Sequence, residues 1–470
     1  MQAYFGAFAS LVVTLVVVRL ILKKFQPQIV LFTGGLILMI VAISIGAGSS
    51  ALLPAKVAST GFVGFDIFKF IERTLSSRVA GLGLMIMSAG AFAKYMDHIG
   101  ASRTMVFAVI KPLQGLKAPY VMLSLTYVVG ASLKIFIGSA AGLGMLLMVT
   151  MFPIVVALGA SRAAAAAMVV TCGCFDLGPG SGNTILAAQT AGLDVNLYFV
   201  KYQIPAAIGV GYTTIAIMHY IVQKYFDKKD KVGIAGGVMP EQVVVDSSVA
   251  GIDGKTEKLP GLYALLPTIP LILLLTFSLG IKGYKLDVVT VMIMSFVFAV
   301  LCEVIRTRDP KRVMKECMLF FDTMGKMFAT VISLIVAGET FAQGLAATGS
   351  VNMFIEGVQG LGLGAIAMTV IMTAFIVIAC IVMGSGNAPF FAFAALVPNV
   401  ATSMGVHPVV LILPMQLCVG AARALSPIVA IVVAVAGIAN ISPIELVRRT
   451  VIPVGVALVT TTIASIIVTM

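Results

Sequence analysis

Stretches of about twenty mostly apolar residues recur along the whole chain, and they leave it few ways to fold. Val288–Val304 is one of them, with apolar residues following one another instead of alternating. In hydrocarbon every backbone N–H and C=O must find a partner inside the protein, so only helices and closed barrels span a bilayer. Barrel strands alternate apolar and polar residues. These stretches do not, and the expected fold is an all-α polytopic membrane protein. Composition agrees: the chain is 60% hydrophobic and 11% charged, against about 25% charged in soluble domains. So few charges cannot coat a water-facing surface. The formal net charge of +12 fits loops rich in Lys and Arg on the cytoplasmic side. With no arginine-rich tail and no nucleic-acid motif, no nucleic-acid partner is expected.

The six cysteines lie mostly in apolar segments, and Cys172-Gly173-Cys174 lacks the spacing of a redox or zinc pair. His98, His219 and His407 are scattered, so neither a metal nor a cofactor is expected. The apolar stretch Tyr4–Leu22 is followed, not preceded, by Lys23-Lys24. A secretory signal has the opposite order, so this reads as a retained first helix whose C-terminal end is cytoplasmic.

Windows of spanning length fall at 3–23, 29–48, 80–97, 120–158, 164–195 and 203–224, then at 261–280, 287–305, 326–347, 363–403, 408–440 and 450–469. The expected organisation is a first unit at 1–224, a cytoplasmic linker at 225–260 carrying Lys228, Lys229, Lys231, Lys255 and Lys258, and a second unit at 261–470. Windows 120–158 and 363–403 are too long for one crossing and are interrupted by uncharged small residues, Gly138–Gly144 and Gly384–Pro389. Each reads as a re-entrant hairpin whose tip stays inside the protein, where irregular backbone is tolerated.

The two units repeat each other. Ile137-Gly138-Ser139 corresponds to Met383-Gly384-Ser385, Gly159 to Gly405, Ala191-Gly192-Leu193 to Ala436-Gly437-Ile438, and Ile204-Pro205 to Ile452-Pro453, at an offset of about 245 to 249 residues. Five crossings plus a hairpin per unit is an odd count, which inverts the second unit. Inverted repeats are a signature of secondary transporters. With the N-terminus outside, Lys23, Lys24, Arg103, Lys111, the linker lysines, Arg306, Arg308, Lys311, Arg312, Arg448 and Arg449 lie inside, and far fewer basic residues outside. Both termini are then periplasmic.

Gly180-Ser181-Gly182-Asn183 interrupts window 164–195, and Gly384-Ser385-Gly386-Asn387 forms the tip of the second hairpin. Their repeat partners are Ala424-Leu425-Ser426-Pro427 and Gly138-Ser139-Ala140-Ala141. Each unit thus pairs a hairpin tip with a broken helix. Half-helix N-termini offer free N–H groups to an anion, and hydroxyls, amides and carbonyls hold substrate oxygens or a small cation. Ser139, Ser181, Asn183, Thr184, Ser385, Asn387, Arg423 and Ser426 are the expected substrate-binding residues. The competing explanation is that Gly/Ser motifs serve only close helix packing. Ionisable residues inside spans are costly and functional by default. Arg423 suits a carboxylate through paired N–H···O bonds. Lys134, Asp176 and Glu339 are candidates for a coupling ion or for charge pairs, Lys134 with Asp176 as internal glue among them.

Several runs resemble the DcuC-type anaerobic C4-dicarboxylate carriers: Ser161-Arg162-Ala163-Ala164-Ala165-Ala166-Ala167, Gly384-Ser385-Gly386-Asn387-Ala388-Pro389-Phe390, Arg423-Ala424-Leu425-Ser426-Pro427 and Val432-Val433-Ala434-Val435-Ala436-Gly437. The likeness extends over nearly the whole chain, while Lys134 and Thr171–Gly178 depart from it. It implies the bacterial inner membrane, transport of succinate, fumarate or malate, and succinate efflux or exchange in anaerobic growth. It further implies H⁺ or Na⁺ as coupling ion, a homodimer, and elevator-like motion. Rival functions fit less well. An intramembrane enzyme needs a base beside Ser181 or Ser385, and no His is placed for that. An anion channel, or a carrier for another organic acid or an amino acid, stays open at this point.

Overall fold

Chains rich in Leu, Ile, Val and Ala form helices in lipid because the helix pairs its own backbone. The computed structural model describes residues 2–54, 57–116, 118–230, 259–277, 286–351, 353, 356–357 and 364–470, and these are helical wherever they are regular. Among the described residues eight helices are long and apolar enough to cross a membrane. Apolar side chains such as Phe8, Leu15, Ile293, Leu301, Ile463 and Ile467 stand exposed around the outside, as a lipid-facing surface requires.

Several helices run past their hydropathy windows. Window 80–97 is the second half of Val63–His98, and window 326–347 the second half of Pro310–Ala347. The added turns carry Asp66, Lys69, Glu72 and Arg73 in one case and Lys311, Arg312 and Lys315 in the other, which depress hydropathy without breaking a helix. The start at Pro310 is set locally. Proline needs no N–H partner in the first turn, and the Asp309 carboxylate accepts from the Arg312 N–H at 3.1 Å. The helix entering the expected linker continues to Lys229, and residues 231–258 of that linker lie outside the described residues.

Four interruptions matter for function. Pro119–Leu133 and Ala140–Thr150 are separated by a turn, and the Ser139 hydroxyl caps the second helix by accepting from Gly142 N–H at 3.0 Å. Arg162–Thr171 and Gly182–Thr190 flank an irregular stretch in which Gly178 has φ +85°. Ala365–Met383 ends at Gly384, in the left-handed region that a side chain would strain, and the chain becomes helical again at Asn387. Val409–Ala422 gives way to one tight turn at Arg423–Leu425 and resumes as Ala430–Ala439. Val409–Ala422 is buried along its full length and Arg162–Thr171 nearly so. These two helices form the centre of the molecule and meet protein on all sides.

Close approach explains particular glycines. A Cβ on Gly420 would collide with the Cys174 carbonyl oxygen, and one on Gly386 would lie 3.0 Å from Arg423 Cδ. At another point the C-terminal helix Pro443–Thr469 is bolted to its neighbours by Arg449. Its side chain is 2% exposed and donates to Asp227 Oδ1 at 2.6 Å and to Asp230 Oδ2 at 2.9 Å. Asp227 Oδ2 also accepts from the Ser161 N–H at 3.0 Å and the Tyr120 hydroxyl at 3.1 Å.

Candidate functional site

The four interruptions surround one cavity of about 500 Å³, with Lys134, Ser139, Asp176, Ser181, Asn183, Asn387 and Arg423 in its wall. That volume lies within the range of small-molecule sites. Asp176 is the hub, on the irregular stretch between Arg162–Thr171 and Gly182–Thr190. Its Oδ1 faces Lys134 Nζ at 3.0 Å. Its Oδ2 accepts from Arg423 Nη2 at 2.6 Å and from Asn183 Nδ2 at 2.8 Å. The Lys134 side chain is 4% exposed and that of Asp176 9%. Removing one member of such a buried pair leaves a charge without compensation, at a cost of about 3–5 kcal/mol.

Each cation is also anchored to backbone. Lys134 Nζ donates to Gly138 O at 3.3 Å, across the turn of the first interruption. Arg423 Nη2 donates to Gly173 O at 3.1 Å and Nε to Gly420 O at 3.2 Å. Among the described residues Arg423 Nη1 has no protein partner, and the side chain is 16% exposed in the cavity wall. Asn183 Nδ2 also donates to Asn387 Oδ1 at 3.2 Å, which joins the second interruption to the third.

Behind the cavity lies a second polar layer that sequence reasoning did not single out. Gln416 Nε2 donates to Asp176 O at 2.7 Å, and Gln203 Nε2 donates to Gln416 Oε1 at 2.8 Å. Gln203 Oε1 accepts from the Gly178 N–H at 3.2 Å. Both glutamines are fully buried. A satisfied buried amide network is rigid, because each unmade bond would cost its desolvation. It holds the irregular stretch around Asp176 in one shape. Neutral amides inside apolar windows give little sequence signal; the only hint was their rarity there.

The remaining expected residues divide. Thr184 belongs to the rear layer, donating from Oγ1 to Asp176 O at 3.1 Å. Ser426 is buried and donates to Ile381 O at 2.7 Å, tying the fourth interruption to the helix Ala365–Met383. Ser385 Oγ stands 3.5 Å from the Ala388 N–H, at the start of the helix after the hairpin turn. Glu339 is not in the cavity wall and pairs with Arg78 at 2.7 Å. Lys94 and Asp97 do line the cavity and were not among the expected residues.

Chemically the cavity holds cations, hydroxyls, amides and the first turns of the helices at Ala140 and Gly182. Among the described residues no group of three or more His, Cys, Asp or Glu is arranged to hold a metal ion, and no histidine lines the cavity. Membrane-crossing helices broken around such a polar cavity are an arrangement typical of carriers. In bacteria a multi-pass chain of this kind resides in the inner membrane.

The chain belongs to the DcuC family, described as the C4-dicarboxylate anaerobic carrier, which it matches over residues 5–470. It is 35% identical over 465 residues to the anaerobic C4-dicarboxylate transporter DcuC of Escherichia coli (strain K12), covering 99% of this chain and 97% of that one. It is 35% identical over 460 residues to the probable anaerobic C4-dicarboxylate transporter DcuC of Vibrio cholerae, covering 97% and 96%. Two solved structures share the fold at low identity. MtrF of Neisseria gonorrhoeae has a TM-score of 0.58 at 14% identity, covering 94% of this chain and 95% of that one. The YdaH transporter of Alcanivorax borkumensis has a TM-score of 0.60 at 13% identity, covering 94% and 98%.

Proposed function

We propose that this protein is a secondary carrier of C4-dicarboxylates such as succinate, fumarate or malate, serving succinate efflux or exchange in anaerobic growth. The observation that carries the reading is Arg423. Its Nε and Nη2 are committed to Gly420 O, Gly173 O and Asp176, while the side chain lines the cavity and Nη1 has no protein partner among the described residues. A carboxylate entering the cavity meets this open edge, beside Lys134 and the helix N-termini at Ser139 and Ser181. Asn183 and Asn387 complete the polar wall.

The reading includes inverted repeats with a re-entrant hairpin in each half, and three features support it. The interrupted helices start at matching positions, Ala140 with Asn387 and Gly182 with Ala430. Pro205 and Pro453 both sit inside long helices. Residues one repeat apart touch each other: Asp176 with Arg423, Cys174 Sγ with Ala421 O at 3.9 Å, and Thr214 Oγ1 with Thr460 Oγ1 at 3.2 Å. Contacts between equivalent residues are what a two-fold axis relating the halves would produce. Elevator-like movement of the two hairpins and broken helices, homodimer assembly, H⁺ or Na⁺ coupling and periplasmic termini complete the proposal.

The test is uptake of labelled succinate by proteoliposomes, with and without a sodium gradient. Saturable uptake stimulated by internal unlabelled dicarboxylate is the expected result. Uptake that does not saturate would indicate a channel, and no succinate uptake at all would overturn the substrate assignment.

A further inference from the structure

The paired charges at Asp176 account for one end of a dianion. A C4-dicarboxylate has a second carboxylate, and the cavity wall contains a third cation that the proposed function leaves unused. Lys94 and Asp97 line the same cavity on the helix Leu84–His98, three residues apart and therefore on one face. That face meets the turn of the first interruption. A Cβ on Gly138 would lie 3.0 Å from Ala93 Cβ, and one on Gly142 4.0 Å from Asp97 Oδ2. Gly138 is also the residue whose carbonyl holds Lys134. Lys94 is thus next in sequence to the contact point with the turn that anchors Lys134.

The two lysines differ in state. Lys134 is buried and paired with Asp176. Lys94 is exposed and, among the described residues, makes no ion pair. An ammonium in a cavity wall with no ion pair among the described residues is available to a bound anion.

We infer that Lys94 is the second carboxylate-binding residue of the cavity and that it makes the site select dicarboxylates over monocarboxylates. Asp97 shares its face, competes for the ammonium, and so limits how tightly the distal carboxylate is held. This rests on the dicarboxylate reading above and deepens it by assigning the discrimination to one residue.

The experiment compares inhibition of labelled succinate uptake in proteoliposomes by unlabelled succinate and by its monomethyl ester. Wild-type uptake is measured first; if it is absent, the dicarboxylate reading and this inference both fall. With wild-type uptake present, succinate is expected to inhibit at a concentration about tenfold or more below that of the ester, the effect of one charge-assisted bond. Lys94→Gln is expected to remove that preference by weakening succinate while leaving the ester unchanged. Unchanged ester inhibition also shows that the variant is folded. Lys94→Arg keeps the charge and is expected to keep the preference. Asp97→Asn, which frees Lys94, is expected to lower the inhibitory concentration of succinate alone. A wild-type ratio in Lys94→Gln, equal weakening of both ligands, or weaker succinate inhibition in Asp97→Asn overturns the inference.

Discussion

Replacing Arg423 separates binding from folding more sharply than any other change. Its guanidinium makes three backbone or carboxylate bonds and leaves Nη1 without a protein partner among the described residues. A lysine at the same place has three donors on one atom and no planar fork. It can meet Asp176, but it cannot also span Gly173 O and Gly420 O while presenting an edge to the cavity. The charge stays, so the buried carboxylate keeps a partner and the fold is expected to survive. What is lost is at least one charge-assisted bond to the substrate, worth about 1.5–3 kcal/mol net. At about 1.4 kcal/mol per factor of ten, Arg423→Lys is expected to weaken succinate roughly tenfold to a hundredfold. Arg423→Ala leaves Lys134 and Asp176 to neutralise each other, with no surplus positive charge at that end of the cavity for the proximal carboxylate, and is expected to abolish transport. The assay is succinate uptake normalised to membrane-inserted protein, with thermal stability of the purified variants alongside. Normal transport by the Lys variant, or failure of both variants to insert, would show Arg423 to be structural and refute the reasoning.

Asp176→Asn leaves Lys134 and Arg423 facing each other in a buried site, and a loss of about 3–5 kcal/mol of stability is expected as a lowered unfolding temperature. The double variant Asp176→Asn, Lys134→Met should regain much of it, and no recovery would mean that the charges do not oppose each other. Asn183→Ala and Asn387→Ala are each expected to raise the half-saturation concentration for succinate several-fold, with folded protein retained; unchanged kinetics in both would reduce the amides to packing. A cysteine at position 240, in a variant free of other cysteines, should resist an impermeant thiol reagent in intact cells and react in inverted vesicles. Labelling in intact cells would reverse the proposed topology.

The helical architecture was readable because lipid forces a simple rule on the backbone. The interruptions were readable because Gly, Pro and Ser stand out against apolar runs. Lys134, Asp176 and Arg423 were found for the same reason, since ionisable groups are rare in such windows; pairing of Lys134 with Asp176 was among the expectations, and the structure adds Arg423 on the same carboxylate. Other features left weaker traces. Lys94 and Asp97 sit at the end of the window 80–97, where charges look like the edge of a span. Gln203 and Gln416 are neutral and are distinguished only by their hydrogen bonds. Arg78 falls just before the window 80–97, because the charged turns of Val63–Arg78 hide a continuing helix. Its pairing with Glu339 therefore could not be anticipated.

The resident carboxylate of Asp176 has an electrical consequence. With two cations and one anion, the empty cluster has one net positive charge. A C4 dianion bound without its coupling cation reverses it to one net negative charge. A unit charge crossing the whole membrane field exchanges about 2.3 kcal/mol per 100 mV. If the cluster moves through that field, a potential negative inside draws the empty site inward and drives the loaded site outward, so voltage assists both legs of an export cycle. Without the charge on Asp176 the empty site would hold two positive charges and the loaded site none. Voltage would then act on the return leg alone.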